Sequence, residues 1–193
     1  MTEDRPATQP RPGGLWRPWH FLVVVGLVIG DLTTKSWAWQ FWNQGPQPVL
    51  GDWLSWQTVL NPGGIFGLGR ELTLPLTVVR VFAVVLLFWL LGRQPRENRR
   101  GSWTLSLLLA GAIGNLYDNL SVWMPWEGNG EVRDFIRVDL GAQPGWWPDV
   151  LPWLFHPWPI FNLADSFIFI GFVLLISGLA VVDLNTGKKE ALE

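Results

Sequence analysis

Apolar residues in this chain gather in four blocks separated by polar, Pro- and Gly-rich stretches, instead of recurring with the period of an amphipathic helix or a half-buried strand. The blocks run from about Trp19 to Trp37, Leu72 to Leu91, Trp103 to Leu120 and Pro159 to Val182. Each is close to the ~20 residues that a helix rising ~1.5 Å per residue needs to cross ~30 Å of hydrocarbon. The pattern predicts an all-α integral membrane protein with four transmembrane helices over residues 19–37, 72–91, 103–120 and 159–182. Short tails, residues 1–18 and 183–193, flank this single unit. A cleaved leader competes for the first block, since Arg11 and Arg17 precede its core FLVVVGLVIG. No small-x-small cleavage site follows, and Asp31 and Lys35 come instead.

Basic residues orient the four spans. Arg5, Arg11 and Arg17 lie in the N-terminal tail, Arg93, Arg96, Arg99 and Arg100 between blocks two and three, and Lys188 and Lys189 in the C-terminal tail. These segments share one side, which the positive-inside rule makes cytoplasmic, so both termini are expected there. The opposite side receives residues 38–71 and 121–158. In the first, β-branched and aromatic residues from Pro48 to Leu68, with the turn Asn61-Pro62-Gly63-Gly64, predict a small extracytoplasmic β element. In the second, the Pro-, Gly- and Trp-rich stretch around 140–158 predicts a loop or helix insertion lying along the membrane interface.

Composition sharpens the picture. Only 16% of residues are charged, below the usual quarter, and 15 are tryptophan, most of them placed by this topology at the outer interface. A net charge of −2 offers no basic surface for nucleic acid, and the absence of cysteine excludes disulfide scaffolds, zinc ribbons and thiol nucleophiles. His20 and His156 are too few for a histidine-rich metal site, so neither metal nor cofactor is expected; His156 reads as an interfacial side chain.

Ionisable residues within the blocks are costly in a bilayer and are functional hypotheses by default. Block one holds Asp31 and Lys35, block three Asn115 and Asp118, and block four Asn162 and Asp165. Helical rise puts Asp31 ~18 Å and Asp118 ~22 Å above the inner face, and Asp165 ~10 Å below the outer one, so three helices converge in the outer half of the membrane. Asp31 and Lys35 are four apart and can neutralise each other; Asn115 with Asp118, and Asn162 with Asp165, are three apart and are expected to share helix faces. A purely structural role as interhelical hydrogen bonders is the plainer alternative, helped by the small-residue ladder Ser106, Ala110, Gly114. Two carboxylates close together in a dry site share one proton, and such a pair can activate water as aspartyl proteases do. Spacing does not decide which carboxylate partners Asp165.

The motifs, taken together, resemble the lipoprotein signal peptidase (signal peptidase II) family. DLTTK (Asp31–Lys35), NPGGIF (Asn61–Phe66), GAIGNLYDN (Gly111–Asn119), VRDF (Val132–Phe135) and FNLADS (Phe161–Ser166) are similar to that family's five patches, in the same order. The resemblance implies a catalytic pair at Asp134 and Asp165, whereas depth alone favours Asp118 over Asp134. Asp31, Lys35, Asn61, Gly63, Asn115, Asp118 and Asn162 become supporting residues. The implied substrate is a prolipoprotein in the bacterial cytoplasmic membrane, cut on the amino side of a diacylglyceryl-modified cysteine near the outer face, with membrane lipid as the other partner.

This chain departs from the family pattern at three places. Asn119 stands where the family has Arg, Arg133 precedes Asp134 where an apolar residue is usual, and the Asp134–Asp165 segment is longer. Alternation along a strand aims Arg133 away from Asp134's face and so argues against its replacing the lost charge. The rival readings are another intramembrane aspartyl protease, whose G-x-G-D pattern is absent, a member inactivated through Asn119, and a non-catalytic transporter or scaffold with buried carboxylates.

Overall fold

The computed structural model describes residues 18–62, 73–123, 128–141, 146, 148 and 158–183. Helices α1 (Pro18–Ala38), α2 (Thr73–Arg93) and α3 (Arg99–Asn119) each have 21 residues, and α4 (Leu163–Ile176) has 14. Strands β1 (Gln47–Leu50), β2 (Leu54–Asn61) and β3 (Val132–Val138) form an antiparallel sheet in the order β1-β2-β3. The fold is thus mostly helical with a small antiparallel sheet, in keeping with helices joined by a small β element.

Among the described residues, two segments are long and apolar enough to cross a membrane, Trp19–Phe41 and Thr73–Arg93. The fourth block delays its helix, because Phe161 pairs as a strand with Ile136 before the chain turns in at Leu163. Ser177 closes α4 and Gly178, at φ +71°, turns the chain away in the left-handed region that glycine tolerates.

Helix α3 is the hub, packed against α1, α2 and α4. Its inward positions are small: Ser102, Ser106, Ala110, Gly111 and Gly114 are buried, including the whole predicted ladder. Small residues let backbones approach where dispersion and hydrogen bonds must hold helices together. A Cβ on Gly111 would strike the Ala164 carbonyl and the Ile168 side chain of α4, and one on Gly114 would strike Asp31 of α1. Val24, Leu91, Leu105, Leu109 and Ala110 form the apolar core away from the sheet. Helix α2 instead presents large apolar side chains outward, Phe82 at 70% and Val79 at 63% exposure among them.

The sheet carries the segment between α3 and α4 onto the bundle. β2 and β3 pair Leu54 with Val138, Val59 with Asp134 and Asn61 with Val132, with an irregularity between Trp56 and Val59 that shifts the register. On the other edge of β3, the Phe161 carbonyl accepts the Ile136 N–H at 2.8 Å and Phe161 donates back at 3.1 Å. These bonds bring Asp134 to the start of α4. The expected β element over residues 48–68 is present, in its described part, as β1 and β2, and β3 adds a third strand to it. Gly63, His156, the tails and most of the Trp-rich stretch lie outside the described residues.

Candidate active site

Asp165 is set by the way α4 begins. Asn162, in extended backbone at φ −126° and ψ −177°, is the N-cap: its side-chain oxygen accepts the Asp165 N–H at 2.9 Å, and Asp165 Oδ2 accepts the Asn162 N–H at 3.2 Å. This capping box satisfies two amide donors left over at a helix start. Asn162 and Asp165 therefore meet through a cap, not through a shared helix face as their spacing suggested. The remaining oxygen, Asp165 Oδ1, accepts Asn115 Nδ2 of α3 at 2.8 Å.

Asp134 lies mid-β3 and is 1% exposed, whereas Asp165 is half-buried. Its Oδ1 accepts Asn162 Nδ2 at 2.6 Å and its Oδ2 accepts Asn61 Nδ2, from the end of β2, at 2.9 Å. Asn162 consequently holds both carboxylates, Asp134 through its side chain and Asp165 through its backbone. Burial first, and the neighbouring Asp165 charge second, push the Asp134 carboxyl up to about 7, against the opposing pull of Asn61, Asn162 and Lys35.

Beside this pair sits a buried ionic cluster. Lys35 and Asp31, both fully buried, pair at 2.8 Å, and Lys35 Nζ reaches Asp118 Oδ2 at 3.4 Å. Lys35 also donates to the Gly114 carbonyl at 3.1 Å and to Asn115 Oδ1 at 3.0 Å. Since an ammonium only donates, it fixes the oxygen end of the Asn115 amide toward itself and leaves the nitrogen end for Asp165. Asp31 Oδ1 accepts the Ala164 N–H at 2.9 Å and so satisfies another donor at the start of α4.

Asp118 is engaged elsewhere. Arg133 grips its Oδ1 through Nη2 at 2.6 Å and Nε at 3.1 Å, and the Arg133 backbone N–H donates to Oδ2 at 3.1 Å. Arg133 thus points away from Asp134's partners, as strand alternation predicts, and neutralises the aspartate that depth alone favoured as the partner of Asp165. Next to it, fully buried Asn119 donates to the Gly130 carbonyl at 2.7 Å, and its Oδ1 accepts Nη1 of Arg80 from α2.

Eight of the nine residues singled out from sequence fall in this one network: Asp31, Lys35, Asn61, Asn115, Asp118, Asp134, Asn162 and Asp165. The ninth, Gly63, lies outside the described residues. Sequence reasoning gave Arg80 no role, although a lone arginine within an apolar span was the signal for one.

Similarity to known proteins extends over most of the chain. The family model described as signal peptidase (SPase) II matches residues 23–181. The lipoprotein signal peptidase of Leptospira biflexa serovar Patoc is 33% identical over 142 residues, 67% of this chain and 70% of the relative. That of Mycobacterium avium is 33% identical over 172 residues, 88% of this chain and 82% of the relative. A solved bacterial membrane enzyme superposes at a TM-score of 0.56 and 25% identity, covering 94% of this chain and 99% of its own.

Proposed function

The chain belongs to the signal peptidase II family, and from that premise we propose that Asp134 and Asp165 are the catalytic dyad of a membrane aspartyl endopeptidase. A peptidase of this family removes signal peptides from prolipoproteins. The finer reading is cleavage on the amino side of a diacylglyceryl-modified cysteine, in a four-span protein of the bacterial cytoplasmic membrane with both termini inside. The single observation that carries the dyad is Asn162, which binds Asp134 Oδ1 with its side chain and Asp165 Oδ2 with its backbone.

At neutral pH the shared proton rests on Asp134, whose carboxyl is raised to about 7. Asp165 takes a proton from water as its oxygen attacks the scissile carbonyl carbon, and Asp134 passes its proton to the carbonyl oxygen. The tetrahedral intermediate then breaks its C–N bond. The leaving nitrogen receives the proton from Asp165, and the hydroxyl proton returns to Asp134 as the new carboxyl forms. Asn115 and Asn162 aim the dyad, and Lys35 with Asp31 holds Asn115 and the start of α4. The β1-β2-β3 sheet, ending at Asn61, flanks the extended peptide, while its lipid chains stay in the bilayer beside the exposed apolar faces of the helices.

The test is processing of a lipidated precursor in membranes. Asp134→Asn and Asp165→Asn are each expected to abolish processing while the protein still accumulates, and cleavage at the wild-type rate by either variant would refute the dyad.

A further inference from the structure

Arg80 stands out from the helix that carries it. From Leu74 to Gly92 it is the one ionisable residue of α2. It lies on the inward face defined by Thr73, Thr77, Val84, Leu87 and Leu91, at the level where that face changes from hydroxyls to the apolar core. It is half-buried. A guanidinium in such a place normally answers a carboxylate, because an unpaired charge inside a membrane helix is expensive.

Arg80 does not do so. Among the described residues it forms no ion pair with Asp165, Asp134 or Asp118. Asp118 is taken by Arg133 and Lys35, and the other two carboxylates by amides. Its hydrogen-bond partner among the described residues is the neutral Oδ1 of Asn119, which is itself pinned by the Gly130 carbonyl. A guanidinium has five N–H donors in a rigid planar fork, and among the described residues Asn119, next in sequence to Asp118 of the ionic cluster, engages one of its nitrogens.

An extended peptide crossing the dyad presents backbone carbonyls, neutral acceptors that a held guanidinium can take without displacing a protein partner. We propose that Arg80 is a substrate-binding residue that donates to backbone carbonyls at the scissile bond, and that Asn119 is the positioning residue that holds it there. The inference rests on the peptidase reading of Asp134 and Asp165. It also accounts for Asn119 in this chain: the cation usual at position 119 in the family is delivered from α2 instead, and Asn119 has become its support.

The inference is tested with the purified full-length protein in lipid and a diacylglyceryl-modified lipopeptide, comparing wild type, R80L, R80K, R80L/N119R and D165N. R80L is expected to lower kcat/KM by roughly 10- to 100-fold, the range set by one lost charged hydrogen bond, with the unfolding midpoint unchanged. R80K, keeping the charge but not the fork, should fall between wild type and R80L in kcat/KM. R80L/N119R should regain most of the lost kcat/KM. R80L within twofold of wild type would overturn the inference, as would a double variant and an R80K both no better than R80L. If R80L fails to accumulate, R80K decides: wild-type kcat/KM there overturns it. Loss of cleavage in D165N alongside an unaffected R80L defeats this inference alone, whereas cleavage by D165N defeats the dyad reading beneath it.

Discussion

Asn162 concentrates more of the site than any other side chain: it caps α4, aims Asp165 and donates to Asp134. Asn162→Ala removes the cap and one donor to Asp134, and is expected to cost about 1–2 kcal/mol in stability and to depress processing further than that loss explains. Thermal unfolding and processing measured on the same preparation check both. The raised Asp134 carboxyl has its own signature. The folded state keeps this proton up to about pH 7, whereas the unfolded chain releases it near 3.8. The group's contribution to stability is therefore full below pH 3.8 and is lost as pH rises to about 7. The difference in unfolding midpoint between wild type and Asp134→Asn should shrink or reverse over that window, and the alkaline limb of wild-type activity should fall near pH 7. A difference independent of pH would count against a shared proton. Residue types were legible in sequence; pairings were not. Spacing matched Asn115 to Asp118, but Lys35 turns the Asn115 amide toward Asp165, and Arg133 takes Asp118.

At the scale of elements, the apolar blocks locate the helices within a few residues, and the ladder on α3 is visible as a run of small side chains. Less legible was where α4 starts. Apolarity begins at Pro159, but Phe161 is used by the sheet and Asn162 by the cap, so the helix waits until Leu163. Of strand β3 only Arg133 and Asp134 read as extended, because a short buried strand with two arginines and an aspartate has no clean alternation. The hub makes a sharp prediction. Gly111→Val drives a side chain into the Ala164 carbonyl and Ile168, and overpacking of this kind is expected to cost about 1–3 kcal/mol. Because Ala164 adjoins Asp165, processing should fall with stability. A surface change of equal size, Gly45→Val, meets open space and should leave both intact.

For the whole molecule, the large apolar side chains exposed on α2 and α4, such as Phe82, Phe169 and Ile176, make a continuous case for a lipid surround. The chain contains no cysteine, so single cysteines report topology without background. Asp52→Cys, in the exposed turn between β1 and β2, should react in intact cells with a thiol reagent that cannot cross the membrane. Glu97→Cys, in the exposed turn between α2 and α3, should react only after the membrane is opened. The opposite pattern would invert the proposed orientation. The capping box at the start of α4 also bears on timing. Asn162 and Asp165 are contributed by the start of α4, while Asp134 waits on a strand made earlier. On the dyad reading, a nascent chain has no competent half-site to expose in the translocation machinery. On the same reading, proteolytic capacity arrives in one step, when α4 docks, so that quality control of assembly and licensing of activity are a single event.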